Sequence, residues 1–205
     1  EFENIPTAPL KALGKVPLHP HQRALGMAQD RLTEKQFIEK LGGKPAPFAT
    51  VDSPGDLAAA VASIGAPGIL KTRRDGYDGK GQWRIENAGD AAALKLPDRP
   101  LIYEAFVRFT AEFSVLLCRG ADGDIRFWET PSNVHEGGIL ARSTVPVPPL
   151  VHPQIAPARA LAKKVAKALG YVGVLTLEFF ATNDGPVFNE IAPRCHNSGH
   201  STIEG

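Results

Sequence analysis

Cysteine is nearly missing from this chain. Cys118 and Cys195 are the only two, too few for a disulfide framework and wrongly spaced for zinc. A reduced, cytoplasmic setting is the default that follows. An excess of one charge is missing as well. Lys and Arg number 23 against 22 Asp and Glu, a formal net charge of +1, which gives no general argument for nucleic acid or an anionic membrane as partner. No apolar run is long enough to span a bilayer. No Arg/Lys-led leader is expected at the start, and no internal repeat appears. Residues 1–30 lack periodic pattern, broken by Pro6, Pro9, Pro17 and Pro20. Gly205 follows directly on the densest polar loop. The expectation is an excised piece of something longer, large enough for one domain or two small lobes.

What is there reads as α+β, helices mixed with antiparallel strands. Thr33-Glu34-Lys35-Gln36 has the form of a capping box for a helix that Gly42-Gly43 closes. Ser53-Pro54-Gly55-Asp56 opens a helix that runs to Ile64 and stops at Gly65 and Pro67. Strands are predicted over 68–72, 82–85, 101–107, 112–118 and 125–129, with a short Ala-rich helix over 88–95. Residues 130–150 read as irregular. After them Ile155, Leu161, Val165, Ala168 and Leu169 share one face of a helix whose Lys163, Lys164 and Lys167 face water. Gly170 closes it.

The last two predicted strands, 172–180 and 187–191, flank Asn183-Asp184-Gly185. A loop centred near Asp184 pairs residues whose numbers sum to about 368, which sets Glu178 opposite Glu190. Leu175, Leu177 and Phe179 then point to the core face. Two opposed carboxylates repel unless a cation lies between them, and Mg²⁺ suits hard oxygen donors on rigid strands. A one-residue slip would separate them and leave two solvated glutamates. The loop that follows, Ile191-Ala192-Pro193-Arg194-Cys195-His196-Asn197-Ser198-Gly199-His200, suits a phosphate-like or carboxylate-like anion.

Other segments carry weaker signals. Asp75-Gly76-Tyr77-Asp78-Gly79-Lys80-Gly81-Gln82 lies between two strands, and its glycines would let backbone N–H groups approach phosphate. It is not a P-loop, lacking the Lys-Ser/Thr ending and the following helix, and a plain hairpin tip is an equal reading. Lys71 on an apolar strand wants an anion such as a nucleotide phosphate, or else snorkels from an edge. The strand end Glu104-Ala105-Phe106-Val107 could read an adenine edge, with Glu104 taking the exocyclic amine. Glu112 could meet ribose or be a surface pair. His135 reads first as structural.

Together these segments resemble the ATP-grasp superfamily. Within it they are most similar to the 5-(carboxyamino)imidazole ribonucleotide synthetases, the ATPase component of phosphoribosylaminoimidazole carboxylase in purine synthesis. The match is carried by Gln29-Asp30-Arg31-Leu32 with Lys35, Lys71 with Gly76 to Trp83, Glu104 to Val107, Glu112 to Val115, Asn133-Val134-His135 through Leu140, Gly170 to Val174, and Asn189-Glu190-Ile191-Ala192-Pro193-Arg194 with His196-Asn197-Ser198-Gly199-His200. It departs at Asp75, where Gly is usual, at Cys195, where Pro or Val is usual, and at Ser201, where an aromatic is common.

The resemblance implies only the centre of a three-part enzyme. Residues 1–28 would be a remnant of the N-terminal domain and linker. Residues 29–205 would be the ATP-grasp domain, with a small lobe at about 50–107 and a large one at about 108–205. It implies ATP, Mg²⁺ and bicarbonate, with carboxyphosphate delivering a carboxyl group to 5-aminoimidazole ribonucleotide. Mg²⁺ would sit on Glu178 and Glu190. Arg23, Lys71 and the 76–82 loop would hold phosphates. Glu104 to Val107, Glu112, His135 and Asn189 would complete the nucleotide site. Arg194, His196, Asn197 and His200 would hold bicarbonate and carboxyphosphate. Tyr77, Asp78, Lys80 and Glu3 would meet the aminoimidazole, with Lys80 also counted as catalytic. A homodimer and a mutase or carboxylase partner are implied for the parent. A different acceptor, or an inactive module of a bifunctional carboxylase, stays open. The isolated piece is expected to bind nucleotide weakly, if at all, and not to make the carbamate.

Overall fold

The structure, a computed structural model, describes residues 4–76 and 80–203. The expectations for Glu3, Tyr77, Asp78 and Gly79 lie outside the described residues. The Pro-rich start holds more order than its pattern implies. A 3₁₀ turn at Ala8–Leu13 leads to α1 (Gln22–Ala28), which buries Ala24 and Met27. Helix α2 (Arg31–Lys40) begins earlier than the capping-box reading placed it. Asp30 is the N-cap, its Oδ1 accepting from the backbone N–H of Leu32 (3.1 Å) and Thr33 (3.2 Å). Thr33 is already the third residue of the helix, so it cannot cap it. Gly42, with φ +81, ends the helix as expected.

Strand β1 (Phe48–Val51), which the sequence did not reveal, opens a four-stranded sheet. Helix α3 (Pro54–Ile64) is capped by Ser53, whose Oγ accepts from Asp56 N. Strands β2 (Gly68–Thr72) and β3 (Gln82–Ile85) flank the glycine-rich loop; α4 (Ala88–Ala93) and β4 (Leu101–Ala105) complete the lobe. The sheet runs β1-β4-β2-β3, all antiparallel. Leu57, Ala60 and Val61 follow helical spacing and pack α3 on Leu70, Leu101 and Tyr103.

The second sheet contains β5 (Ala111–Arg119), β6 (Ile125–Phe127), β7 (Ser132–Glu136), β8 (Ile139–Thr144), β9 (Gly173–Thr182) and β10 (Gly185–Ala192). Its order is β10-β9-β5-β7-β8, with β6 also on β5. The β7–β8 hairpin falls in the stretch expected to be irregular. Its mostly exposed, polar residues carry no alternation to read. Helix α5 (His152–Ala168) covers one face through Ala158, Leu161, Ala162, Val165 and Ala166. Ala162 and Ala166 take the buried places, and Ala168 sits at the margin. Phe113, Phe179 and Phe188 pack together beneath it, the first two stacked at 5.4 Å between centroids. Each full burial of such a ring contributes about 1.5–3 kcal/mol. Ala24, Met27 and Ile38 belong to this same core. The division expected after residue 28 is therefore not a break in packing.

The β9–β10 register decides the site. Next to the turn, partners sum to 367: Gly185 pairs Thr182 and Phe188 pairs Phe179. A bulge at Asn189 then shifts the pairing, so that Glu190 faces Glu178 and Ile191 faces Leu177. The predicted sum of 368 holds only beyond that bulge. Because the bulge takes Asn189 out of the ladder, Glu190 rather than Asn189 shares a face with Glu178.

Candidate active site

Cross-strand partners share a face, so the sheet displays Glu190, Glu178 and Ser114 in one row and Glu112 beside it, opposite Phe180 and Asn133. This is the face away from Leu175, Leu177 and Phe179, which are buried under α5 as expected. Glu178 is 5% exposed. Burial first, and Glu190 second, push its carboxyl up to about 8. Its Oε1 lies 3.3 Å from His196 Nε2. Burial, reinforced by Arg194, pushes His196 down to about 4, so the ring is neutral at pH 7. Ser198 N donates to its Nδ1 at 3.3 Å, an acceptor role that leaves the ring proton on Nε2. His135 Nδ1 and Glu112 Oε2 pair at 2.6 Å, and that bond raises the histidine.

The small lobe adds cations. Lys71 Nζ lies 2.8 Å from Glu104 Oε2, and Lys35 Nζ from α2 lies 3.3 Å from the same oxygen. Arg31 pairs with Glu190 at 3.7 Å. Asp30, besides capping α2, accepts from Arg73 Nη2 (2.8 Å) and Arg74 Nε (3.2 Å) at the root of the glycine-rich loop. Arg31 N donates to Arg73 O at 3.0 Å. Gly81 has φ +70, and a Cβ there would lie 2.8 Å from Thr72 Oγ1.

Lys71 and Arg31 line one cavity of about 310 Å³ together with Glu112, His135, Glu178, Glu190, Arg194, His196 and Asn197. A second cavity of about 290 Å³ adjoins it and shares Arg31, Gly76, Glu190 and Arg194. No group of three His, Cys, Asp or Glu side chains with metal-holding geometry occurs among the described residues. The opposed carboxylate pair is itself the donor set that Mg²⁺ uses when phosphate oxygens and waters fill its other positions. The residues present fit that ion.

Residues 36–205 match the ATP-grasp domain family. The chain belongs to the ATP-grasp family. It is 45% identical to the N5-carboxyaminoimidazole ribonucleotide synthase of Brucella melitensis, over 98% of this chain and 57% of that protein. The crystal structure of N5-carboxyaminoimidazole ribonucleotide synthetase from Thermus thermophilus superposes with a TM-score of 0.92 at 46% identity, over 100% of this chain and 56% of that one. The synthase of Aspergillus clavatus in complex with ADP and 5-aminoimidazole ribonucleotide gives 0.86 at 28% identity, over 100% and 55%. The ATP-grasp chain therefore spans a little over half the length of the relatives it matches. The α+β expectation and the resemblance both hold. No helix among the described residues is long and apolar enough to cross a membrane.

The ATP-grasp cavity gathers Lys71, Gly76, Gln82, Glu112, His135, Glu178, Asn189, Glu190, Arg194, His196 and Asn197. Other expected site residues are placed differently. Arg23 is remote from the cavity; its Nη2 donates to Ala168 O at the C-terminal end of α5. Arg31, eight residues on, stands in the cavity instead. His200 is exposed and lines neither cavity, because the 3₁₀ turn Asn197–Thr202 carries it outward. Ala105 N and Phe106 N donate to the carbonyls of Pro47 (2.8 Å) and Pro67 (3.1 Å), so those two N–H groups are already engaged. The Glu104 carboxylate is turned to two lysines rather than open to an exocyclic amine. Lys80 and Gly81 lie beside the cavity without lining it.

Sequence reading missed Arg31, Glu34 and Lys35 as a set. They fall at helical spacing with Ile38, which is the one available signal, but charged members on such a stripe read as a solvent face. Here Glu34 Oε1 accepts from Ile191 N at 2.6 Å and is fully buried, which raises it to about 8.

Proposed function

We propose that this chain is the ATP-binding and carboxyl-activating centre of a 5-aminoimidazole ribonucleotide carboxylating ligase in purine synthesis. ATP phosphorylates bicarbonate, the carboxyphosphate delivers its carboxyl group to the exocyclic amine of 5-aminoimidazole ribonucleotide, and the products are the carbamate, ADP and phosphate. What carries this reading is the row Glu178–Glu190 facing Lys71 and Arg31 across one cavity that ends at Arg194, His196 and Asn197.

Glu178 and Glu190 would hold Mg²⁺. The ion, when bound, neutralises charge developing on the β,γ-phosphates. Lys71 and Arg31 bind phosphate oxygens as fixed cations that need no reorganisation. Glu112 and His135, locked at 2.6 Å, would form the ribose wall. Neutral His196 donates through Nε2 and orients Glu178. Arg194 and Asn197 hold the planar anion next to the γ-phosphate. The second cavity, which shares Arg31, Glu190 and Arg194 with the first, would bring in the amine end of the acceptor. Lys80 and the residues before it would close over both and exclude water, which otherwise consumes carboxyphosphate. The remaining parts of a longer enzyme would grip the ribonucleotide phosphate. We further propose a cytoplasmic homodimer that hands its product to a mutase or carboxylase.

The test is ADP release from ATP and bicarbonate, with and without 5-aminoimidazole ribonucleotide, by a complete enzyme carrying this chain. Stimulation by the ribonucleotide is expected, with loss in Glu178→Gln and Glu190→Gln variants that retain their fold. Equal release with and without it, or near-normal turnover of either variant at saturating Mg²⁺, refutes the reading.

A further inference from the structure

One buried carboxylate, Glu104, faces two buried lysines. Lys71 and Lys35 both approach its Oε2, at 2.8 and 3.3 Å, and Oε1 has no partner among the described residues. One lysine would neutralise the charge. The two lysines differ in where they stand. Lys71 lines the nucleotide cavity, whereas Glu104 and Lys35 lie behind its wall. Lys35 is 1% exposed. It also donates to the carbonyl of Asn189, the bulge residue, at 3.3 Å, and its Nζ lies 5.9 Å from the centroid of Phe188. It thus connects β4 of the first sheet to β10 of the second.

The nucleotide reading makes a demand on this group. Lys71 must turn from Glu104 to phosphate, and a buried carboxylate deprived of its only cation is heavily penalised. We propose that Lys35 is a positioning residue that keeps Glu104 neutralised when Lys71 turns to the phosphates, so that phosphate binding leaves no buried charge unpaired. The inference rests on the nucleotide reading of the cavity. Burial alone would raise Glu104; Lys35 first and Lys71 second overcome it and hold it at about 2.

The experiment titrates a complete enzyme carrying this chain with a fluorescent ADP analogue and Mg²⁺, comparing Lys35→Met, Lys35→Arg, Glu104→Gln and the Lys35→Met/Glu104→Gln double variant. Lys35→Met is expected to bind roughly tenfold more weakly or worse, because Lys71 is then retained by Glu104. Lys35→Arg keeps the charge and should stay within about threefold of the wild type. In the double variant the carboxylate that competes for Lys71 is gone, and binding should return to within about threefold of Glu104→Gln alone. A residue that only fills space would give losses that add. Wild-type affinity in Lys35→Met, or a double variant weaker than both singles, overturns the proposal. If Lys35→Met alone does not fold, the double variant, which buries no carboxylate at that position, still decides by the same comparison. If the wild type itself binds no analogue, the nucleotide reading falls and takes this proposal with it.

Discussion

Replacing Asp30 should disconnect the root of the glycine-rich loop from α2, and the geometry gives the size of the effect. Asp30 is 4% exposed. It accepts from two backbone N–H groups of α2 and from the guanidinium groups of Arg73 and Arg74. The cap is worth about 1 kcal/mol. The charge-assisted bonds from Arg73 add roughly 1.5–3 kcal/mol. Arg74 is more than half exposed and adds little after screening. Asp30→Ala should therefore cost about 2.5–4 kcal/mol, a large part of a typical stability of 5–15 kcal/mol. Asp30→Asn retains a good cap and loses the charge, so it should fall between, about 1 kcal/mol more stable than the alanine.

Equilibrium urea unfolding followed by far-UV circular dichroism measures both, and an unchanged denaturant slope shows that the comparison is one of stability. Trypsin supplies the local readout. Cleavage after Arg73 and Arg74 should accelerate in both variants relative to cleavage after Lys163 or Lys167. Burial would raise the Asp30 carboxyl, but the bonds from Arg73 and Thr33 outweigh it and hold it below the ordinary range. A depressed carboxylate stabilises fully above its unfolded value, near 3.9, and its contribution is lost as pH falls through the folded one. The gap between wild type and Asp30→Asn should then be constant above about pH 5 and close in acid. A loss below about 1 kcal/mol for Asp30→Ala, or equal losses for Ala and Asn with no change in cleavage, would refute the clamp.

Glu178 is raised to about 8, so ionised Glu178 destabilises the metal-free fold increasingly from about pH 4.3, its unfolded value, up to about pH 8. The melting temperature of Glu178→Gln should gain on wild type across that window without metal, and Mg²⁺ should reverse the order; a constant difference refutes the burial argument. Gly81→Ala should cost about 1–2 kcal/mol in urea unfolding, because φ is positive and Thr72 blocks the new Cβ; no loss would mean that the loop root relaxes freely. Cys195 is exposed, and its backbone carbonyl accepts from Arg194 Nη1. Cys195→Ala should change stability by less than about 0.5 kcal/mol and leave ADP binding unchanged, whereas a cysteine adduct trapped during turnover would overturn the mechanism.

Where the chain was legible, one physical signal dominated. Ser53 before Pro54 starts a helix, Gly65 ends it, and alternation around Asn183-Asp184-Gly185 brings Glu178 towards Glu190. Three features were not legible, each for a reason. The β7–β8 hairpin is polar on both faces, so no period marks it. The α2 stripe of Arg31, Glu34 and Lys35 is buried by elements more than a hundred residues away, which a local window cannot register. Arg23 was given to the phosphates by resemblance, yet the end of α5 takes it. The residues assigned from chemistry on rigid strands reached the cavity, while those assigned at loop ends, such as His200 and the 105–106 N–H groups, did not.

The Asn189 bulge gives the β9–β10 hairpin two halves of opposite parity. Between Asp184 and Phe188, strand length can change at the turn with little consequence for the cavity, since the register beyond the bulge is pinned by Leu177, Ile191 and the bond from Ile191 N to Glu34. Between Phe188 and Glu190 the bulge absorbs the odd residue. Deleting Asn189 would set Glu190 directly after Phe188, and continuous pairing would still bring Glu190 opposite Glu178 and Ile191 opposite Leu177. Keeping Asn189 but ironing it into the ladder would instead pair Asn189 with Glu178, send Glu190 to the core face and turn Ile191 to the cavity. The face that Glu190 shows is therefore set by whether the strand expels its odd residue from the ladder, and a redesign that regularised the hairpin at full length would keep the sheet and lose the carboxylate row.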